Sequence, residues 1–600
     1  EHAARQVNGV DDALALSHSQ SGLLLYCVTA DAQDSHDALR SAIVVALGKT
    51  LPRHMLPNAV VLLAAFPLSS AGKIDRDALL ARAVTTETAY VPPATDAERV
   101  LAQIWCRVLG VTRAGRHDDF FALGGDSIKA LEVLNGIRAT GYTCELKDFF
   151  AFPLLTDMAS ALAPWRESGL FRAPLAGHMS LLPVQRWFLR SRSGDAARHF
   201  NIVAELNVSA DVSASVLADA MAVLIQHHDS LRCRFYPQNG QWLQEVQQTL
   251  SVDDVLSHYR RTTTAGMQAD QCAIEELACR PFDLATGPLV RGILVQAPDG
   301  VSETLVLALH HLVADWVSLR TLIADLNALT QALLDADIDV ARLSPPHLLQ
   351  AVTDARCAEL QSVPLTDADA YRKAVATTAS LAPACGVHNE LHTLHVQIAA
   401  DDLTALREFL RRESAGQQPD FRLQDLLLAT TLSELGGLLP VDEIPLLVES
   451  HGRDGELDLS RQVAWLTRAR LVNIDPQVFT GADGLLQAYR VLQSDAIGRP
   501  DVFACMAADA EPQTALPALV SFNYLGEFTN SQSQDNLFTL TGRVFDKAMA
   551  PTSPVDVPLH MEFYVVDQAL EIQVAWSPAV FKSDIMRTCW ERVRRRFARL

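Results

Sequence analysis

The sequence predicts a multidomain α/β protein, and three observations carry that reading. The chain has 600 residues, and at about 100–200 residues per domain this is three to five compact units. Apolar runs that read as buried strands alternate with stretches of helical periodicity, the pattern of layered sheets and helices. Polar, proline-bearing stretches at about 85–94 and 161–179 read as linkers. The units therefore fall at 1–85, 92–165 and 180–600.

Composition narrows the function classes. A hydrophobic content of 49% with 20% charged residues suits globular domains with substantial cores. Lys+Arg is 50 and Asp+Glu 71, a net charge of -21, which argues against nucleic acid as a partner. The cysteines are scattered without C-x-x-C or zinc spacing, so a reducing cytoplasm and no metal are expected. No apolar run reaches the roughly 18 residues of a membrane span, and no signal peptide is expected. Glu1 falls within what reads as a helix, so the chain is expected to begin inside a longer protein.

In the first unit, Gly22–Val28 reads as a buried strand. Ser35 is a plausible N-cap for a helix to about Gly48, with Leu39, Ile43, Val44 and Leu47 on one face. A proline-punctuated loop, Leu51–Pro57, precedes a second apolar strand from Asn58 to Phe66. The turn Ser69–Arg76 follows, with Lys73 just past its tip. A P-loop is excluded, because its first glycine would fall on Pro67 and no Ser or Thr follows Lys73.

The second unit opens with a helix from about Asp96 to Leu109, with Leu101, Ile104, Trp105 and Val108 inward. Phe120-Phe121-Ala122-Leu123-Gly124-Gly125-Asp126-Ser127 then puts a serine where a Gly-rich turn meets a helix. Asp126 is the expected N-cap, Ile128, Leu131, Leu134 and Ile137 recur at helical spacing, and Gly141 ends the pattern. A nucleophilic serine needs a base within reach. Only His117 is near in sequence and the G-x-S-x-G elbow is absent, so Ser127 reads as a serine that is modified. A short helical element begins at Lys147–Phe150.

The third unit opens at Leu182–Phe188. A strand at His199–Leu206 is followed by a helix bearing Val216, Leu217, Met221 and Leu224 and then by His227–Phe235. Leu305–Leu309 reads as a buried strand that delivers His310-His311-Leu312-Val313-Ala314-Asp315 into a loop and a helix. Zinc would need a third ligand. Placement at the C-terminal end of a strand favours a site over a core role. Arg592, Arg594, Arg595, Arg596 and Arg599 near the end read as the solvated side of a packed helix.

These motifs carry a family resemblance. Asp118, Phe120, Phe121, Leu123 and Gly124–Ser127, with Ile128 and Leu131, resemble the peptidyl carrier domain of nonribosomal peptide synthetases. The resemblance implies a four-helix bundle whose Ser127 carries 4′-phosphopantetheine, installed by a phosphopantetheinyl transferase. Leu51–Pro57 with Gly72–Arg76 is similar to the last two motifs of adenylation domains, within their small α+β C-terminal subdomain. By that resemblance Lys73 neutralises charge while an amino acid carboxylate attacks ATP. The large adenylation core would be an upstream partner, so no adenylation is expected from this chain alone.

H-H-x-x-x-D at His310–Asp315, with Pro183–Phe188 and His227–Phe235, resembles the condensation superfamily of the same synthetases. Gln185–Phe188, Glu449–Arg453 and Phe522–Phe528 resemble its epimerization branch. The implied fold is two chloramphenicol-acetyltransferase-like lobes with a tunnel between them. The implied chemistry is proton removal and return at Cα of a carrier-bound aminoacyl or peptidyl thioester, turning an L residue into an L/D mixture. His311 and Glu449 would exchange the proton. His310 and Asp315 would orient the loop, Arg453 would pair with a carboxylate or steady the enolate, and Asn523 and Tyr524 would line the site. A downstream condensation domain would take the product towards a peptide antibiotic.

Two other readings stay open: a degenerate domain that only docks the carrier, and an amide-forming condensation domain. Glu449 and Asn523–Gly526 argue against the second. Several positions depart from the epimerization pattern. Trp316 and Leu319 stand where the family has Gly and Trp, and Ser450 where it has Gly. Val463-Ala464-Trp465-Leu466-Thr467 replaces Val-Gly-Trp-Phe-Thr, and a Gly-Tyr-Gly is lost near Ile497–Pro500. Trp316 is expected to narrow the tunnel, since its ring replaces a residue without a side chain.

Overall fold

The computed structural model describes residues 10–18, 22–29, 59–63, 90–120, 127–140, 142–144, 152–164, 175–261, 267–335, 349–359, 374–378, 385–414, 423–436, 443–453, 459–475, 501–508, 516–528, 536–545, 547–566 and 568–598, with a few isolated residues between them. The helix expected at Ser35–Gly48, the loop Leu51–Pro57, the turn with Lys73, Asp126 and the stretch Ile497–Pro500 lie outside the described residues.

Among the described residues of the first unit there are three strands: β1 (Asp12–His18), β2 (Gly22–Val28) and β3 (Ala59–Leu63). β1 pairs antiparallel with β2, and β2 pairs parallel with β3. β2 and β3 match the strands expected from the sequence. β1 was not expected, because its seven residues mix small and polar side chains and give little apolar contrast.

The second unit packs α1 (Asp96–Leu109), α2 (Ser127–Ala139) and α3 (Leu155–Ala161), with residues 148–149 also helical. Thr95 caps α1 reciprocally with Glu98, and Gly110 ends it at φ 68°. Leu101, Trp105, Phe120, Leu134, Ile137 and Met158 form the core. Gly125 is required there: a Cβ would meet the Phe120 ring at 2.3 Å. The side chains of Ser127, Ile128 and Leu131 lie outside the described residues. The described ends of the expected linker at 161–179 form short strands. β5 (Ala163–Pro164) pairs with β4 (Tyr142–Thr143), and β6 (Gly177–Met179) joins a hairpin of the third unit, β8 (Cys233–Gln238) and β9 (Gln241–Val246).

The third unit has two lobes. The first opens with α4 (Pro183–Ser191) and holds a five-stranded sheet of β7 (Asn201–Val208), β10 (Leu256–Arg260), β11 (Val290–Gln296), β12 (Ser302–His310) and β17 (Phe538–Leu540), in the order β10-β11-β12-β7-β17. α5 (Ala214–His227) and α7 (Trp316–Leu334) share a core with it, and α6 (Met267–Cys279) also packs on the sheet. The second lobe holds β13 (His392–Ile398), β14 (Ile444–Ser450), β15 (Arg468–Ile474), β16 (Val520–Phe528), β18 (Leu559–Val566) and β19 (Ala569–Trp576), ordered β13-β19-β18-β16-β14-β15. α9 (Ala400–Ser414), α10 (Leu423–Leu435) and α12 (Ser583–Phe597) back this sheet; α8 (Leu349–Glu359) and α11 (Val502–Ala508) sit between the lobes.

On α12, Met586, Trp590, Val593 and Phe597 are buried while Arg592, Arg594 and Arg595 are exposed, so the basic run is the wet side of a packed helix. A separate core joins the lobes, drawing Phe188 and Leu312 from one and Leu447, Trp465 and Leu471 from the other. β17 leaves the second lobe to complete the first lobe's sheet, and the following residues cross as well: Ala548 O accepts from Asn201 N at 2.9 Å.

Candidate active site

β12 ends at His310, and the chain turns at once through His311–Val313. His310 is fully buried and both ring nitrogens are held: Nδ1 accepts from Leu312 N–H at 3.2 Å, and Nε2 meets Ala197 O at 2.9 Å. Burial pushes its pKa down to about 3. Gln185 on α4 fixes the same turn, donating to Leu312 O at 2.8 Å while its own oxygen accepts from Leu182 N–H. This leaves His311 as the histidine turned to the inter-lobe space. Its ring stacks on Phe200 at 5.0 Å and meets Trp465 at 4.4 Å. Its Nδ1 has no hydrogen-bond partner among the described residues. Burial pushes its pKa down to about 4, against the pull of Asp315.

Asp315 caps α7 and accepts from Ser318 N–H and Oγ, both at 2.8 Å. Its carboxylate also takes a bidentate pair from Arg453, at 2.8 and 2.9 Å, and Leu466 N–H at 3.1 Å. Burial alone would raise the Asp315 pKa; the Arg453 guanidinium outweighs it and holds the carboxyl below its usual range. Arg453 is 2% exposed and further donates to Gln462 O and His451 O at 3.0 Å. Arg453 thus pairs with the Asp315 carboxylate inside the protein. Gly452 makes the turn possible, with φ 62° and a Cβ position only 1.7 Å from Leu466 O. This latch ties the His311 turn of one lobe to the β14–β15 connection of the other.

Strand alternation builds the second wall. Leu446 and Val448 on β14 face the helix-backed core, and Leu447 faces the inter-lobe core. Glu449, two residues on from Leu447, shares its face. Val520 and Phe522 on β16 likewise face the helices, which turns Ser521 and Asn523 inward. On β18, Leu559, Met561, Phe563 and Val565 are buried in the helix-backed core, which turns His560, Glu562 and Tyr564 inward. Asn523 pairs in register with Glu562, and Ser521 with His560. Asn523 is therefore on the site face, between Glu449 on one neighbouring strand and Glu562 on the other. Tyr524 departs from the expectation: alternation turns it the other way, and it packs against the helix-backed core.

Burial pushes the Glu449 pKa up to about 7; His560 opposes this, and Glu562 and Asp556 add to it. Among the described residues the Glu449 carboxyl makes no hydrogen bond. Glu562 also acts on His311, so one carboxylate is felt by both groups. At neutral pH the wall therefore offers a neutral imidazole and a carboxyl near its midpoint, a workable base and acid.

Trp316 differs from expectation as well. Its ring packs on the helix-backed core of the first lobe and not against the inter-lobe core, because it opens α7 on that side. The next residue, Val317, touches the core of the second unit. There α2 lies against β16. Lys129 Nζ pairs with Glu527 at 2.7 Å with both side chains below 10% exposure, Arg407 pairs with the same carboxylate, and Arg320 reaches Glu132 at 2.9 Å. Arg320 also donates to Glu527 O at 2.9 Å. The helix that begins at Ser127 is thus held beside the strand that carries Asn523. Sequence reasoning missed these pairs and missed His560 and Glu562. The signal for the latter was present: polar residues at 560, 562 and 564 alternate with apolar ones at 559, 561, 563 and 565.

A two-lobed unit with an H-H-x-x-x-D turn at the lobe junction, preceded by a helical unit with a serine at a helix start, defines a carrier joined to a condensation-type domain. The comparisons agree. Residues 175–599 match the condensation domain family, and residues 99–162, which include Ser127, match the phosphopantetheine attachment site family. The chain belongs to the condensation domain family and is a nonribosomal peptide synthetase fragment with a phosphopantetheine-bearing carrier domain.

It is 29% identical over 578 residues to one of the linear gramicidin synthase proteins of Brevibacillus parabrevis, covering 94% of this chain and 7% of that one. It is 28% identical to one of the plipastatin synthase proteins of Bacillus subtilis, covering 99% of this chain and 23% of that one. The chain thus spans under a quarter of the length of these relatives. The solved epimerization domain from the third module of tyrocidine synthetase B has the same fold, with TM-score 0.60 and 20% identity over 72% of this chain and 98% of that one. The starter condensation domain of rhizomide synthetase also shares it, with TM-score 0.52 and 15% identity over 70% of this chain and 96% of that one. No helix among the described residues is long and apolar enough to cross a membrane.

The Gly125 turn and the start of α2 suit a phosphopantetheine phosphate. The first backbone N–H groups of a helix are unpaired donors, and Gly125 brings the turn close over Phe120.

Proposed function

We propose that this chain epimerizes an aminoacyl or peptidyl group held as a thioester on the carrier, converting L to an L/D mixture. The observation that supports the reading is that His311 at the lobe junction and Glu449 on the inward face of β14 are both acted on by Glu562, while burial pushes the imidazole pKa down and the carboxyl pKa up. Inversion needs removal of the Cα proton on one face and delivery on the other. A neutral His311 can take a proton while a protonated Glu449 gives one, and the reverse pairing serves the return. Asn523, on the same sheet face as Glu449 and Glu562, would donate to developing negative charge on the thioester oxygen. His310 and Gln185 hold the turn, and the Asp315–Arg453 latch holds the two walls together. Amide formation would need a second, amine-bearing carrier at the site, whereas inversion uses two proton-exchanging groups such as His311 and Glu449.

Residues 1–85 are read as an adenylation C-terminal subdomain with Lys73 as its ATP-facing lysine, residues 92–165 as the carrier and 180–600 as the epimerization domain. An upstream adenylation core would load the carrier, and a downstream condensation domain would use the D residue. The direct test loads Ser127 with an L-aminoacyl pantetheine and follows chirality after hydrolysis. A D fraction rising to the plateau that is also reached from the D-aminoacyl form supports the reading, and retained L configuration overturns it.

Two further results are expected. Ser127 is the arm's attachment point, so Ser127→Ala abolishes the mass gain on treatment with coenzyme A and a phosphopantetheinyl transferase; an undiminished gain would move the site elsewhere. Glu527→Lys puts a third cation against Lys129 and Arg407 in a nearly dry contact. It is expected to slow inversion by about tenfold or more while leaving loading of Ser127 unchanged, since breaking a buried pair leaves an uncompensated charge. Inversion at the wild-type rate would show that this contact does not serve carrier docking.

A further inference from the structure

We propose that His560 and Glu562 form a charged positioning pair for the inversion, holding a cation on the same sheet face as Glu449 and an anion towards His311, and so governing how readily the two proton-exchanging groups reset. The proposal rests on the epimerization reading and adds to it a pair that belongs to neither the loop motif nor the Glu449 motif.

The geometry is that of a built device. His560 Nε2 meets Glu562 Oε1 at 3.2 Å, and His560 Nδ1 meets Ser521 Oγ at 2.5 Å, so both ring nitrogens are engaged. The three side chains project from adjacent strands onto the inward face that also carries Glu449 and Asn523. His560 and Glu562 are partly buried, keeping 37% and 28% of their side-chain surface, on the sheet face that carries Glu449.

The groups around His560 are Glu562 on its own strand, Glu449 on β14, Asp556 on the segment before β18, and His388 on the turn ahead of β13. Burial disfavours charging His560, but the three carboxylates outweigh it and raise its pKa to about 9. Burial likewise disfavours ionising Glu562, and His560 outweighs it, keeping that pKa below its usual range. The pair is therefore ionised at neutral pH. Asp556 is itself paired with Arg192, which sits 4.8 Å over the Phe188 ring, and this fixes the surroundings of the pair to the first lobe.

The consequence follows from proton balance. One inversion leaves the group that took the Cα proton protonated and the group that gave one deprotonated. Starting from neutral His311 and protonated Glu449, the product state is imidazolium and carboxylate. Burial opposes that state at both groups. At Glu449 the His560 cation favours the carboxylate more than Glu562 opposes it, and the Glu562 anion favours the His311 imidazolium, so the pair lowers the cost of the state that must form and then reset.

The test combines a pH profile with a measurement that needs no turnover. Initial rates of inversion are taken from both L- and D-loaded carrier. Removing the cation in His560→Asn raises the Glu449 pKa, so the limb that reports its carboxylate form moves to higher pH by about one unit or more, mainly in one direction of reaction. His560→Lys restores a cation without the Ser521 geometry and is expected to bring the limb back; a purely structural histidine would not be rescued in this way. Histidine-selective NMR of the full chain should find His560 still protonated above pH 8 in the unmutated protein, and in Glu562→Gln titrating near the ordinary value of roughly 6.5. His560 titrating in the ordinary range in the unmutated protein overturns the pair whether or not the protein turns over. Superimposable pH profiles for the unmutated protein and His560→Asn, with inversion intact, overturn the pair and leave the epimerization reading standing. Absence of inversion in the verified, loaded, unmutated protein overturns both.

Discussion

Replacing His311 by alanine or Glu449 by glutamine is expected to lower the rate of inversion by ~10²–10⁴-fold each, the usual cost of a lost general acid or base. The two losses should differ in kind. Each mutant keeps one group that can take and return a proton on its own face of Cα. Exchange with solvent can therefore persist in one mutant with configuration retained, while net inversion stops. Chirality and solvent exchange measured on the same hydrolysed amino acid separate the cases. Inversion at the unmutated rate in both mutants would remove these residues from the chemistry.

The second large effect is on the latch. Arg453 is buried with five oxygen partners: across the lobe junction both Asp315 carboxylate oxygens and Ser318 Oγ, and within its own lobe the carbonyls of His451 and Gln462. Arg453→Leu leaves the Asp315 carboxylate buried without its cation and is expected to cost about 3–5 kcal/mol, read as a lower urea midpoint for the third unit. Inversion should fall with it, because Asp315 caps the helix that follows the His311 turn. Arg453→Leu combined with Asp315→Leu should cost less than the sum of the two single changes, since the second change removes the orphaned charge. Additive costs would show that the two residues act separately.

The loop side of the site was legible in the sequence because its residues are contiguous and its chemistry is local. A buried apolar strand, Leu305–Leu309, ends in two histidines, and the structure puts one in the wall and one at the junction. The carrier helix was legible for a similar reason, since Asp96–Leu109 carries a cap, a helical stripe and a terminal glycine. The second wall was legible only in part. Glu449 and Asn523 stand in recognisable strings, but His560 and Glu562 sit in an ordinary amphipathic strand, and only the strand order β14-β16-β18 brings them beside Glu449. Arg453 could be named as a cation near the site, yet its partner lies 138 residues away, which no local pattern encodes. Trp316 and Tyr524 misled for one reason: their neighbours in sequence face the junction, and the direction of the side chain is set by helix phase in one case and by strand alternation in the other.

One measurement tests epimerization by this chain most directly. Ser127 is loaded with an L-aminoacyl pantetheine in heavy water, the loading is verified by intact mass, and the released amino acid is resolved by chirality with its Cα deuterium counted. Proton exchange through His311 and Glu449 predicts D product carrying deuterium at Cα, formed without an acceptor carrier. Retained L configuration with no deuterium, or an amide product formed only when an aminoacyl acceptor is supplied, would contradict it.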